Sequence, residues 1–138
     1  MKGTLIESDS FRRITARISV SGEIAGKYKG AYLPEQALLI NSASGITVIT
    51  GCSHPGIVTM VEKAKEIFPD LPVDLALGGF HLRDQGLESI NSIVSVLMNM
   101  GVVKVGPTHC TGKNAQVIFQ ERFGERYLTV GAGMQLEI

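Results

Sequence analysis

Three apolar, β-rich runs in this chain are each followed by a short loop and then by a segment patterned as a helix. The runs are Gly45–Thr50, Val73–Leu77 and Val102–Val105. The loops read Gly51-Cys52-Ser53-His54-Pro55-Gly56, Gly78-Gly79-Phe80-His81 and Pro107-Thr108-His109-Cys110-Thr111-Gly112. Successive β-loop-α units build a parallel sheet whose loops gather at the carboxyl ends of its strands. The loops hold all three histidines and both cysteines of the chain. Imidazole and thiolate bind transition metals, so a metal site at one rim of the sheet is the leading expectation. The even spacing of the histidines, at 54, 81 and 109, follows from the repeated unit and is not itself evidence of a site.

The remaining pattern surrounds this core. Ile14 to Val20 alternates like a half-buried strand, and Ser21 to Pro34 reads as a long Gly- and Lys-rich loop. Ala37–Asn41 and Gly45–Thr50, separated by Ser-Ala-Ser-Gly, predict a hairpin. Pro55 is expected as a first helical residue, with Ser53 or His54 near the cap. That helix runs to Pro69, with Ile57, Val58, Val61, Ala64, Ile67 and Phe68 at helical spacing. A second helix spans about 87–100, with Leu87, Ile90, Ile93, Val94, Leu97 and Met98 on one stripe and Gly101 closing it. A third runs from Lys113 to Phe123, ended by Gly124. Tyr127–Val130 and Met134–Ile138 are expected as closing strands.

Composition excludes several classes. Lys plus Arg equals Asp plus Glu at 13 each, which offers no support for nucleic-acid or anionic-membrane binding. No apolar run has transmembrane length and the start MKGTLIESDSFRR lacks a signal-peptide core, so a cytoplasmic location is expected. Two cysteines cannot form a disulfide framework.

The segments 45–58, Gly78-Gly79-Phe80-His81-Leu82 and His109-Cys110-Thr111-Gly112 together resemble the C-terminal half of the metallo-β-lactamase superfamily. The branch they resemble contains the dihydropterin ribofuranosylaminobenzene phosphate synthase-like proteins. Ser21-Gly22-Glu23-Ile24 and Pro34-Glu35-Gln36-Ala37-Leu38 fit as well, so the resemblance covers roughly 14–138, after a flexible segment 1–13. It implies an α/β fold that is half of an αββα sandwich, a mixed sheet with helices on one face. It also implies hydrolase-like chemistry on esters, amides or phosphodiesters at one or two metals, zinc first, with iron or manganese as alternatives. The superfamily motif His-x-His-x-Asp-His is absent from the chain. The resemblance therefore implies a second half, supplied by a homodimer or by a separate N-terminal-half chain, since a bare apolar sheet face invites association. A non-catalytic binding module or degenerate subunit is the alternative, and a thiol-based redox protein a third.

The resemblance also assigns roles. His109 matches the superfamily's last metal-binding histidine; otherwise it is a turn residue. Either His54 is a ligand, or Cys52 stands where relatives carry a bridging Asp and His54 lies behind it; otherwise His54 only caps a helix. His81 is a third ligand, a proton donor or a substrate contact, or else structural. Cys52 and Cys110 sit near helix starts, where a thiolate is favoured and could ligate metal or react; the commoner case is a small buried residue. A bridge between them requires adjacent loops and an oxidising environment. Thr111, Gly112 and Lys113 open a helix and could hold an anion such as a small phosphorylated substrate, although the segment fails the phosphate-loop pattern. Glu35 is a substitute ligand or, by default, an exposed loop residue. Phe80 is expected to pack, and Arg83-Asp84-Gln85 to form a loop and helix cap.

Overall fold

The computed structural model describes residues 3–138. Its main sheet has six strands: β1 (Arg12–Arg13), β2 (Ile18–Val20), β5 (Leu38–Ser42), β6 (Gly45–Thr50), β7 (Val73–Gly79) and β8 (Lys104–Thr108), in that spatial order. A separate hairpin is formed by β3 (Lys27–Tyr28) and β4 (Ala31–Tyr32). The helices are α1 (Ile57–Ile67), α2 (Leu87–Asn99) and α3 (Lys113–Phe123). The sheet is mixed: β1, β2, β5 and β6 pair antiparallel, while β6, β7 and β8 pair parallel. The three β-loop-α units are therefore present, and α3 has the bounds that the sequence predicts.

Alternation along each strand divides the sheet into two faces. Leu39, Ile46, Val48, Val73, Ala76 and Val105 join one core with Ile57, Met60, Val61 and Ala64 of α1, Ile90, Val94 and Leu97 of α2, and Ala115, Phe119 and Phe123 of α3. The helical residues recur at three- and four-residue spacing, which gives each helix one buried stripe. All three helices thus cover one face. The opposite face presents Ile18, Val20, Leu38, Ile40, Ile49 and Leu77, all half-buried. Thr47 lies on this second face, fully buried, and its hydroxyl has no hydrogen-bond partner among the described residues.

Several expectations need correction. The strand expected over 14–20 shrinks to Ile18–Val20, because the Thr15 hydroxyl accepts the Arg17 and Ile18 amides and folds the chain into a turn. The loop expected over 21–34 contains the β3–β4 hairpin. Its turn residues Lys29 and Gly30 both have positive φ, 49° and 81°, as a tight hairpin demands. Pro55 does not begin α1: the helix starts at Ile57 after Gly56, with no side-chain cap. Ser53 cannot cap it because its hydroxyl donates to the Gly79 carbonyl at 2.7 Å. Similarly, α2 follows Gly86 without a side-chain cap from 83–85. Leu87 is 60% exposed, so the buried stripe of α2 begins at Ile90. The expected closing strands reduce to one bridge between Tyr127 and Val105, and a turn at Gly131 carries Met134 onward without pairing. Residues 8 and 9 are tied to the body, where the Ser8 carbonyl accepts from Gln36 and the Asp9 carbonyl from the Glu23 amide.

Candidate metal centre

The loops after β6, β7 and β8 meet at one rim of the sheet, at the carboxyl ends of the parallel strands. The backbone there is held close. The Gly79 amide donates to the Gly51 carbonyl at 3.0 Å, and the Arg83 amide to the Cys110 carbonyl at 3.3 Å. A side chain on Gly79 would sit 2.5 Å from His109 Cε1, 2.6 Å from Cys110 Sγ and 2.6 Å from the Gly51 carbonyl oxygen. Only glycine permits this approach. Ser53 and His81 hold positive φ values of 59° and 51°. Left-handed conformations are costly for such residues and gather at functional sites, where surrounding structure enforces them. Here Ser53 is buried with its hydroxyl bonded to the Gly79 carbonyl. His81 lies between the Phe80 amide, bonded to the Thr111 hydroxyl, and the Arg83 amide, bonded to the Cys110 carbonyl.

Two donor groups result. The ligating atoms of Cys52, His54 and His81 all lie within 4.8 Å of one another, and so do those of Cys52, His109 and Cys110. Cys52 belongs to both. His54 and His81 face each other with ring centroids 4.4 Å apart, and Cys52 Sγ lies 3.6 Å from His81 Nδ1. A tetrahedral zinc bound to sulfur at about 2.3 Å and imidazole nitrogen at about 2.0 Å spans roughly 3.5 Å between those two atoms. The spacing and the sulfur–nitrogen chemistry of the donors fit a divalent transition metal. His109 stands apart from His54 and His81. It is exposed, its Nδ1 lies 3.0 Å from the Thr108 hydroxyl, and it approaches the group through Cys52 and Cys110.

Glu35 is not an exposed loop residue. Its carboxylate accepts the Ser53 amide at 2.8 Å and the His54 amide at 3.1 Å, and it bonds His54 Nδ1. One carboxylate thus fixes both the loop and the imbalance between the two nitrogens of His54, leaving Nε2 for other partners. Burial opposes ionisation of Glu35, but the His54 amide and imidazole and the Ser53 amide outweigh it and hold the carboxyl below its usual range. Since the native pKa is the lower one, its stabilisation is present above the ordinary carboxylate pKa and lost as pH falls through the native value. We therefore expect Glu35→Gln to lose less stability than the wild type between about pH 7 and about pH 3, measured as Tm against pH. The sequence carried no sign of this contact beyond the Glu preceding β5.

Tyr28, from the β3–β4 hairpin, roofs the site. Its ring centroid lies 4.7 Å from that of His54 and 5.6 Å from that of His81. Sequence reasoning missed it, because the hairpin itself reads as loop. Burial, together with the Cys110 sulfur and the Glu35 charge, pushes the Cys52 thiol up to about 11 rather than down toward a thiolate. Cys52 is thus a thiol without a cation, and metal binding would displace its proton. Thr111 is buried and its hydroxyl accepts the Phe80 amide at 3.1 Å, so it serves the loop rather than presenting to solvent. Gly112 packs against Arg83, and exposed Lys113 lines a shallow groove with Arg83, His109 and Gln116. Phe80 is fully buried and packs edge-on against Phe119, as expected.

No family model matches the chain. It is 41% identical over 99 residues to 7,8-dihydropterin-6-methyl-4-(β-D-ribofuranosyl)-aminobenzene-5'-phosphate synthase of Methanocaldococcus jannaschii, a match covering 72% of the chain and 34% of that relative. An uncharacterised protein of the same organism is 40% identical over 73 residues, covering 53% of the chain and 27% of that protein. A solved metal-dependent hydrolase of the β-lactamase superfamily superposes with a TM-score of 0.80 at 29% identity, covering 99% of the chain and 58% of the structure. The chain belongs to the metallo-β-lactamase superfamily. It spans about a third of the first curated relative's length and little more than half of the solved structure. Its α/β fold, with a mixed sheet and three helices, is that of this superfamily relative. Among the described residues no helix is long and apolar enough to cross a membrane.

Proposed function

We propose that this chain is the metal-binding half of a hydrolase-like metallo-β-lactamase domain, with zinc as the resident ion and iron or manganese as alternatives. The observation that carries this reading is the mutual approach of the Cys52, His54 and His81 donors to within 4.8 Å. Cys110 and His109 extend the donor set through Cys52. When bound, a divalent ion supplies Lewis acidity for polarising a carbonyl or phosphoryl group. The chain's own residues hold and shield the site. Glu35 orients His54, Tyr28 covers both imidazoles, and Gly79 lets the loops close. Lys113 and Arg83 beside Gly112 would attract the anionic group of a small phosphorylated substrate.

The half-buried aliphatic face of Ile18, Val20, Leu38, Ile40, Ile49 and Leu77 supports a partner that completes the sandwich. In this reading it is a second copy or a chain supplying the remaining part of the domain. Activity belongs to that assembly, because His-x-His-x-Asp-His is absent here. The same absence favours, as a second reading, a binding module without catalysis.

Phosphodiesterase and esterase assays on the zinc-loaded chain, alone and co-expressed with an N-terminal-half protein, separate the readings. The expected result is a bound metal and turnover that rises at least tenfold with the completed assembly. Bound metal with no turnover in any assembly supports the binding module. A metal-free protein at every purity overturns the metal reading.

A further inference from the structure

Cys52 Sγ and Cys110 Sγ lie 3.2 Å apart, although 58 residues separate them in the chain. Both cysteines are free and half-buried, and both line the same pocket with Tyr28, His54, His81 and Arg83. Their approach is set by backbone, since Gly51 in the loop after β6 is bonded to Gly79 at the end of β7, and Cys110 in the loop after β8 to Arg83 just beyond it. The Cys110 thiol also donates to the Cys52 carbonyl at 3.5 Å. A disulfide requires a sulfur–sulfur distance of about 2.05 Å, so the pair needs a closure of roughly 1.2 Å, within the reach of side-chain adjustment.

We propose that Cys52 and Cys110 are a peroxide-responsive dithiol whose oxidation to a disulfide withdraws both sulfurs from the metal site. This rests on the metal-binding reading above, and deepens it by naming a regulation of that site. Hydrogen peroxide is the oxidant. Cys110 gives up its proton and its sulfur attacks a peroxide oxygen. The O–O bond breaks and the leaving hydroxide takes up that proton, so that a sulfenic acid on Cys110 and one water result. Cys52, whose thiol burial keeps protonated, is the second partner. The second sulfur then attacks the sulfenic sulfur, the S–S bond forms, and the hydroxyl leaves as water with the second thiol's proton. Two thiols lose two electrons in all, and one peroxide becomes two waters. Cys52 belongs to both donor groups and Cys110 to one, so the bridge leaves His54 and His81 in the first group and His109 alone in the second. Dithiothreitol restores both thiols by exchange.

The test treats the purified full chain, metal-free, with equimolar hydrogen peroxide. The expected result is loss of both titratable thiols, a mass decrease of about 2 Da and a peptide linking Cys52 to Cys110 under non-reducing digestion. The oxidised chain is expected to bind zinc at least tenfold more weakly than the reduced chain, with recovery on dithiothreitol. Cys110→Ser is expected to show neither the mass decrease nor the linked peptide. Two intact thiols, or oxygen adducts without a linked peptide, would overturn the proposal, as would a disulfide that leaves zinc affinity unchanged. If the reduced chain binds no zinc, the metal reading and the regulation both fail, while thiol count and peptide map still report whether the bridge forms.

Discussion

Gly78→Ala is expected to destabilise the fold by roughly 3 kcal/mol or more, lowering Tm by about 10 °C or more. Gly78 lies near the end of β7, opposite Thr50 of β6. Its φ is +123°, a region that only glycine visits without strain. A Cβ there would sit 2.2 Å from the Thr50 carbonyl oxygen and 2.7 Å from Thr50 Oγ1. Neither atom can yield cheaply. The carbonyl is backbone in a central strand, and the hydroxyl is held by the Gly79 carbonyl at 3.2 Å. Relief would require β6 and β7 to part where the two loops begin. Gly86→Ala is the control, because nothing lies within 4 Å of its added methyl and its φ is −69°. It should cost about 1 kcal/mol or less. A Gly78→Ala protein melting within about 2 °C of the wild type would contradict this packing.

Removing the sulfur of Cys52 is expected to weaken zinc binding at least a hundredfold. Cys52 is the one residue shared by the two donor groups. Its alanine variant leaves His54 and His81 on one side and His109 with Cys110 on the other, each a bidentate remnant. Because the side chain is small and half-buried, truncation should leave the fold intact, with Tm shifting only a few degrees. Glu35→Gln is expected to act more gently, since partners that orient a ligand typically contribute about ten- to a hundredfold in metal affinity. Chelator-competition titrations of the three proteins would order them wild type, Glu35→Gln, Cys52→Ala.

The parallel core was legible because its signals are local. Mainly apolar, β-rich runs marked β6, β7 and β8 despite Thr47, Asp74 and Lys104 within them, and glycines after α2 and α3 marked their ends. The gathering of Cys52, His54, His81, His109 and Cys110 at one rim followed from that topology, as strand ends in a parallel sheet share an edge. What escaped depends on contacts made across the chain. Glu35 precedes the site residues by many positions and earns its role only through the bonds it makes to His54 and Ser53. Tyr28 reaches the imidazoles because Lys29 and Gly30 close a tight turn that reads as ordinary loop. Ser53 looks like a helix cap, yet its hydroxyl is taken by Gly79. The C-terminal runs alternate as strands do, but beside β8 they form only the Tyr127 bridge.

X-ray absorption at the zinc edge of the loaded chain tests the metal centre most directly. The account predicts a sulfur shell at about 2.3 Å together with imidazole nitrogens at about 2.0 Å, the sulfur signal falling in Cys52→Ala. A first shell of oxygen and nitrogen alone, unchanged by that substitution, would contradict it.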